Sequence, residues 1–149
     1  MDLFAELMAL TKALDERSVD YALVGGLAVA VWGAPRATKD IDLLILPSAI
    51  DRAKEAAAHL GFVLAAGPIR FRDGVHLERV SRVREGQLLT IDFMLVNENL
   101  MSAWESRKTL STTEGAVSVI SRDSLIAMKL AAARPQDIAD VEKLQDIDR

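Results

Sequence analysis

The chain of 149 residues contains no cysteine. Disulfides and thiolate metal sites are therefore excluded, and a reducing compartment is expected. No apolar run is long enough to span a bilayer. The first residues, MDLFAELMALTKALDE, lack a basic leader and set acids among the leucines, which reads as a helix rather than a signal peptide. A cytoplasmic protein with no membrane segment is expected. Histidine is scarce: neither His59 nor His76 has a second histidine at metal-ligand spacing, and neither is assigned a role. An excess of positive charge is also missing. Against 18 Lys and Arg stand 22 Asp and Glu, a formal net charge of -4, which excludes a uniformly basic surface though not a local basic patch. Repeats, low-complexity segments and linkers are absent as well. What is present is a half-hydrophobic composition (50%) that excludes disorder. The length suits one domain, residues 1–149, with a core of its own.

The chain is organised around YALVGGLAVAVWGAPRATKDIDLLIL, residues 21–46. A first helix with Leu3, Leu7, Leu10 and Leu14 as its buried stripe precedes it. Val19 to Val24 reads as a short strand ending at Gly25 and Gly26, which open a helix from Leu27 to Trp32, stopped by Gly33, Ala34 and Pro35. The glycine pair reads either as a tight strand-to-helix turn or as a place where helix-start amides receive a phosphate. Arg36, Thr38 and Lys39 lead into a strand in which Asp40 and Asp42 share one face and Ile41, Leu43 and Ile45 the other. Ser48 and Asp51 have the form of a capping box for a helix with Ile50, Ala53, Ala57 and Leu60 as its stripe, closed by Gly61.

Three strands follow: Phe62 to Arg72, Val75 to Val83 and Leu88 to Val96, punctuated by Asp73-Gly74 and Glu85-Gly86. Arg70, Arg72, Arg79, Arg82 and Arg84 make this region locally basic. They read either as a solvated face partnered by Asp73, Glu78 and Glu85 or as a surface for a polyanion. Asp92 sits in the apolar run LLTIDFMLV with Thr90 and Met94 on its face, opposite Leu89, Ile91, Phe93 and Leu95. A carboxylate inside a buried strand is costly unless paired or bound to a cation. If this strand lies beside the one with Asp40 and Asp42, three repelling carboxylates converge, and hard oxygen donors with a solvated side suit Mg2+. A short helix anchored by Trp104, a strand from Ala116 to Ile120, a helix from Ser121 to about Ala133 and a last helix from Pro135 toward Leu144 complete the pattern. Leu125, Ile126, Met128 and Leu130 supply the apolar face of the first of these last two helices. Lys129 sits on its rim, either snorkelling or holding its ammonium toward the acids or a phosphate. Asp137 and Asp140 are expected to cap the last helix or pair with basic neighbours. The fold class is α/β (α+β), a mixed sheet flanked by helices.

The ordered set of Gly25-Gly26, R-x-T-x-D-I-D at 36–42, the strand acid of IDF at 91–93 and KLAAARPQDIADV at 129–141 resembles the DNA polymerase beta-type nucleotidyltransferase superfamily. Within it the similarity is to AbiEii-type nucleotidyltransferases of type IV toxin–antitoxin systems, over about Tyr21 to Leu144. The resemblance implies a Mg2+-dependent transfer of a nucleoside monophosphate from an NTP to a hydroxyl, releasing pyrophosphate. It implies that Gly25 and Gly26 hold the triphosphate, with Arg36, Thr38 and Lys129 also on the nucleotide. Asp40 and Asp42 would ligate Mg2+, and Asp92 would be the third carboxylate. A tRNA or a protein is the expected acceptor, with an antitoxin as possible partner. The alternatives are an antibiotic-modifying nucleotidyltransferase and a non-catalytic nucleotide- or partner-binding module. Gly26 stands where many members have serine, so amides alone are expected to do that work. With no large helical second domain after the last helix, acceptor choice is expected to lie with the arginine-bearing hairpin, a second copy or a partner protein.

Overall fold

In the computed structural model, which describes residues 2–35, 37–71 and 74–147, the leucine stripe forms α1 (Leu3–Glu16), capped by the Asp2 carboxylate on the Ala5 N–H. Leu7, Leu10 and Leu14 are fully buried. The strands β1 (Ala22–Val24), β2 (Asp40–Ile45), β3 (Leu64–Arg70), β4 (His76–Arg84), β5 (Gln87–Leu95), β6 (Lys108–Thr112) and β7 (Gly115–Val119) form one sheet, ordered β3-β4-β5-β2-β1-β7-β6. The pairs β2·β5 and β1·β7 are parallel and the rest antiparallel, a mixed sheet as expected. Among the described residues six α-helices surround it. After α1 come α2 (Gly25–Trp32), α3 (Ile50–His59), α4 (Met101–Glu105), α5 (Arg122–Ala132) and α6 (Pro135–Gln145). The first packs on α3, the second on β1 and β2, and α5 and α6 on each other and on α2. None of these helices is long and apolar enough to cross a membrane.

The centre of the sheet is held in register by its apolar face. Ile41, Leu43 and Ile45 of β2 and Leu89, Ile91 and Phe93 of β5 are all at most 1% exposed. Burying each is worth about 1.5–3 kcal/mol. A slip of one residue would turn this set outward and push Asp42 and Asp92 into the core, so the register is strongly specified.

Several expectations need correction. The Ser48–Asp51 capping box does not form. Pro47–Ala49 is a 3-10 turn, and α3 starts at Ile50 with no side-chain cap. Its buried stripe is Ala53, Ala56 and Ala57, with Ile50 and Leu60 only half-buried. β3 is shorter than the predicted Phe62 to Arg72 and changes register between Ala66 and Ile69, around a cis Gly67-Pro68 bond. Strand β6 was not predicted. It is an outer strand, mostly exposed, with only Leu110 packed against the core, so it has no apolar alternation to betray it. On α5, Leu130 is 52% exposed while Lys129 is buried, the reverse of the expected rim. The Glu85-Gly86 turn joins β4 and β5 with both residues at positive φ, the hairpin geometry that favours glycine. Asp73 and Arg72, part of the other predicted hairpin, lie outside the described residues.

Candidate active site

Because β2 runs antiparallel to β1, its first residues lie beside the end of β1 where the glycines turn the chain into α2. Val24 pairs with Asp42. Gly25 has φ +72, and a Cβ placed on it would stand 2.3 Å from Asp42 Oδ2, so any side chain here would collide with that carboxylate. Glycine is thus required by both conformation and contact. Helix α2 has no side-chain cap, so no capping side chain occupies its first amides, which start beside an acid. At its other end, Trp32 Nε1 donates to Ile120 O at 3.0 Å and pins the helix to the segment leading into α5.

On the other side β2 pairs with β5, and Asp42 faces Asp92 directly while Asp40 faces Thr90. The sheet therefore brings Asp40, Asp42 and Asp92 onto one face, as the parity of the two strands predicts. Their surroundings differ. Asp40 is exposed, Asp42 mostly buried and Asp92 6% exposed. Burial first, then the negative charges of Asp92 and Asp40, pushes the Asp42 carboxyl up to about 7, against a smaller opposing pull from Lys129 and Arg79. Asp92 accepts two bonds from its cross-strand partner Arg79, from Nε at 2.7 Å and Nη2 at 3.1 Å. That bond and the Asp92 charge raise the Arg79 guanidinium above its usual range. Among the described residues no three acidic or histidine side chains converge closely enough to hold a metal ion together.

The arginines of the hairpin region are not a uniform solvated face. Arg79 is bound to Asp92, and Arg82 is buried, donating to Glu6 Oε1 at 2.6 Å and to Leu60 O at 3.0 Å over the Phe62 ring. Glu78 is paired with Lys54. Sequence reasoning missed Arg79 as a site residue. Its odd parity with Ser81 and Val83 was the available signal, but only pairing with β5 gives that parity meaning.

Lys129 is held between the acids of the last helix, 3.2 Å from Asp137 Oδ1 and 3.0 Å from Asp140 Oδ2. As expected, Asp137 also caps α6, accepting from the Arg134 backbone N–H at 3.1 Å and Nε at 2.6 Å. Chiefly through Arg134, its carboxyl is held down to about 2. Thr38 is half-buried in the segment just before β2; Arg36 lies outside the described residues. Two clefts, of about 460 and 570 Å³, open elsewhere, one beside Asp20 and Tyr21 before β1, the other beside Glu6 and Arg84. None of the three acids lines either.

A family model described as "Nucleotidyltransferase of unknown function (DUF6036)" matches residues 1–148. No curated protein matches the chain by sequence. Among solved structures, TM1012 from Thermotoga maritima, which bears the name nucleotidyltransferase, superposes with a TM-score of 0.68 at 14% identity, over 97% of this chain and 92% of that one. The lincosamide antibiotic adenylyltransferase LnuA, solved with lincomycin, gives 0.65 at 15% identity over 97% of each chain. ANT(2")-Ia, solved with adenylyl-2"-tobramycin, gives 0.64 at 17% identity over 94% of this chain and 86% of that one. At these identities the likeness is one of fold.

Proposed function

The chain belongs to the nucleotidyltransferase family of unknown function DUF6036, and from that premise we propose that it moves a nucleoside monophosphate from an NTP onto a hydroxyl group, releasing pyrophosphate. The single observation that supports this most is the register of β2: Asp42 stands opposite Asp92 on one side and beside the Gly25 turn on the other. Donors for a triphosphate and carboxylates for a cation thereby lie side by side.

The donor set fits one Mg2+. Asp40 offers hard oxygens to solvent and the mostly buried Asp42 adds its own beside it, and no salt bridge or side-chain hydrogen bond among the described residues engages either. This ion is commonly held by one or two carboxylates together with substrate phosphates and water. When bound, it would offset charge on the transferring phosphate. The uncapped amides of Gly25 and Gly26 take phosphate oxygens at the start of α2. Thr38 flanks the nucleotide from the segment before β2, and Arg36, outside the described residues, is assigned to the nucleotide by the motif resemblance alone. Asp92, gripped at both oxygens by Arg79, accepts a hydrogen bond from the incoming hydroxyl and orients it. Lys129 acts on the nucleotide side through its positive field at Asp42. In-line transfer needs mainly positioning and charge compensation, which these groups provide.

For the acceptor, exposed apolar side chains around the acids favour a large molecule. Leu64, Val83 and Leu88, each more than half exposed, share that face with Asp92. A tRNA or a protein is therefore the first acceptor class, in an AbiEii-type toxin acting in the cytoplasm and restrained by an antitoxin. A small antibiotic is the second, since LnuA and ANT(2")-Ia share the fold. The test offers each of the four α-labelled NTPs with Mg2+ to bulk tRNA, to cell protein and to lincosamide and aminoglycoside antibiotics. Label should move to one acceptor class, and Asp42→Asn should reduce transfer to background. Transfer undiminished in Asp42→Asn would sink this assignment.

A further inference from the structure

The charge of Asp92 is already answered within the protein. Arg79 and Asp92 are direct partners across β4 and β5, and the guanidinium spans both carboxylate oxygens at 2.7 and 3.1 Å. A two-point bond between ionised groups is among the stronger and more directional hydrogen-bonded pairs. Guanidinium does not lose its proton in proteins, so this positive charge is permanent. Its field extends beyond Asp92, because Asp40 and Asp42 also favour the protonated form. A metal ion seeking Asp92 as a ligand would first have to break both bonds and then sit beside a displaced cation. Asp40 and Asp42 present no such obstacle.

We infer that Arg79 stands in for a second metal ion: the site takes one divalent cation, on Asp40 and Asp42, and the Arg79–Asp92 pair fills the place of another. This rests on the nucleotidyltransferase reading above. Arg79 is then a positioning residue with two tasks. It holds Asp92 in one orientation on the sheet, and it keeps three of its five N–H groups for other acceptors. The side chain is 43% exposed, so those donors can meet a phosphate oxygen of the substrate. Lysine would keep the charge but not the two-point grip.

Counting bound ions tests the idea without relying on activity. The protein is dialysed to equilibrium with Mn2+ and, in turn, each of the four α,β-methylene nucleoside triphosphates. The wild type should bind one Mn2+ per chain at saturation. Arg79→Met, which frees Asp92, should bind two, a twofold change, and Arg79→Lys should remain at one. Circular dichroism checks that each variant is folded, and Arg79→Lys covers the case in which Arg79→Met is not. Two ions on the wild type, one ion on folded Arg79→Met, or two on Arg79→Lys would overturn the inference while leaving the nucleotidyltransferase reading intact. No ion and no nucleotide on the wild type would overturn both.

Discussion

Burial, and then the charges of Asp92 and Asp40, hold the Asp42 carboxyl up to about 7, well above an unfolded aspartate. The sign of the consequence follows from proton counting. Between about pH 4 and pH 7 the folded chain keeps a proton that the unfolded chain has lost, so stability falls as pH rises through that window and levels off above it. Asparagine in place of Asp42 preserves shape and removes this dependence. With chelator present, Asp42→Asn should be more stable than wild type in urea. The gap should widen by on the order of 2–3 kcal/mol between pH 5 and pH 8. A gap that stays constant across that range would mean that Asp42 is not held in its protonated form. The same residue explains Gly25: the glycine was legible in the sequence as a turn, but its need to make room for Asp42 Oδ2 was not.

At the scale of elements, α5 and α6 are joined by charge as much as by apolar packing. Lys129 is 7% exposed, and Asp137 and Asp140 at most 1%. Removing one member of a buried ionic group typically costs about 3–5 kcal/mol, and the bonds that Asp137 keeps from Arg134 and Asp140 from Gln136 set the lower end of that range here. Lys129→Met should therefore destabilise the protein by roughly that amount, measured by urea unfolding at neutral pH. A loss below about 1 kcal/mol, the range of surface pairs, would show that the ammonium is dispensable there. Spacing marked Lys129 as a rim residue because Ile126 and Leu125 precede it by three and four positions. The acids of the next helix pull it inward, and periodicity within one helix has no access to them.

For the whole molecule, the proposed function makes nucleotide and metal binding interdependent, since both would meet where Asp42 stands beside the Gly25 turn. A ligand that binds only the folded chain stabilises it by about 2.7 kcal/mol at one hundred times its Kd. For a chain of this size that corresponds to a Tm rise of roughly 5–10 °C. The preferred NTP with Mg2+ should reach this range, and the same NTP in excess chelator should give a much smaller shift. Equal shifts in the two buffers would separate nucleotide binding from the metal and remove Asp40 and Asp42 as its ligands.

Local patterns within the chain determined most of the architecture. The leucine stripe of α1, the alternation of β2 and β5 and the glycine stops each arise from contacts or dihedral preferences within a few residues, which composition and order encode directly. The common face of Asp40, Asp42 and Asp92 was legible for the same reason, once the two strands were taken as neighbours. Tertiary structure alone decided what each charge meets. Arg79 reaches Asp92 from thirteen residues away across a hairpin, Arg82 meets Glu6 seventy-six residues away, and Lys129 is turned inward by the following helix. Electrostatic partners depend on distance in space and on local burial, and neither is set by the periodicity of one element.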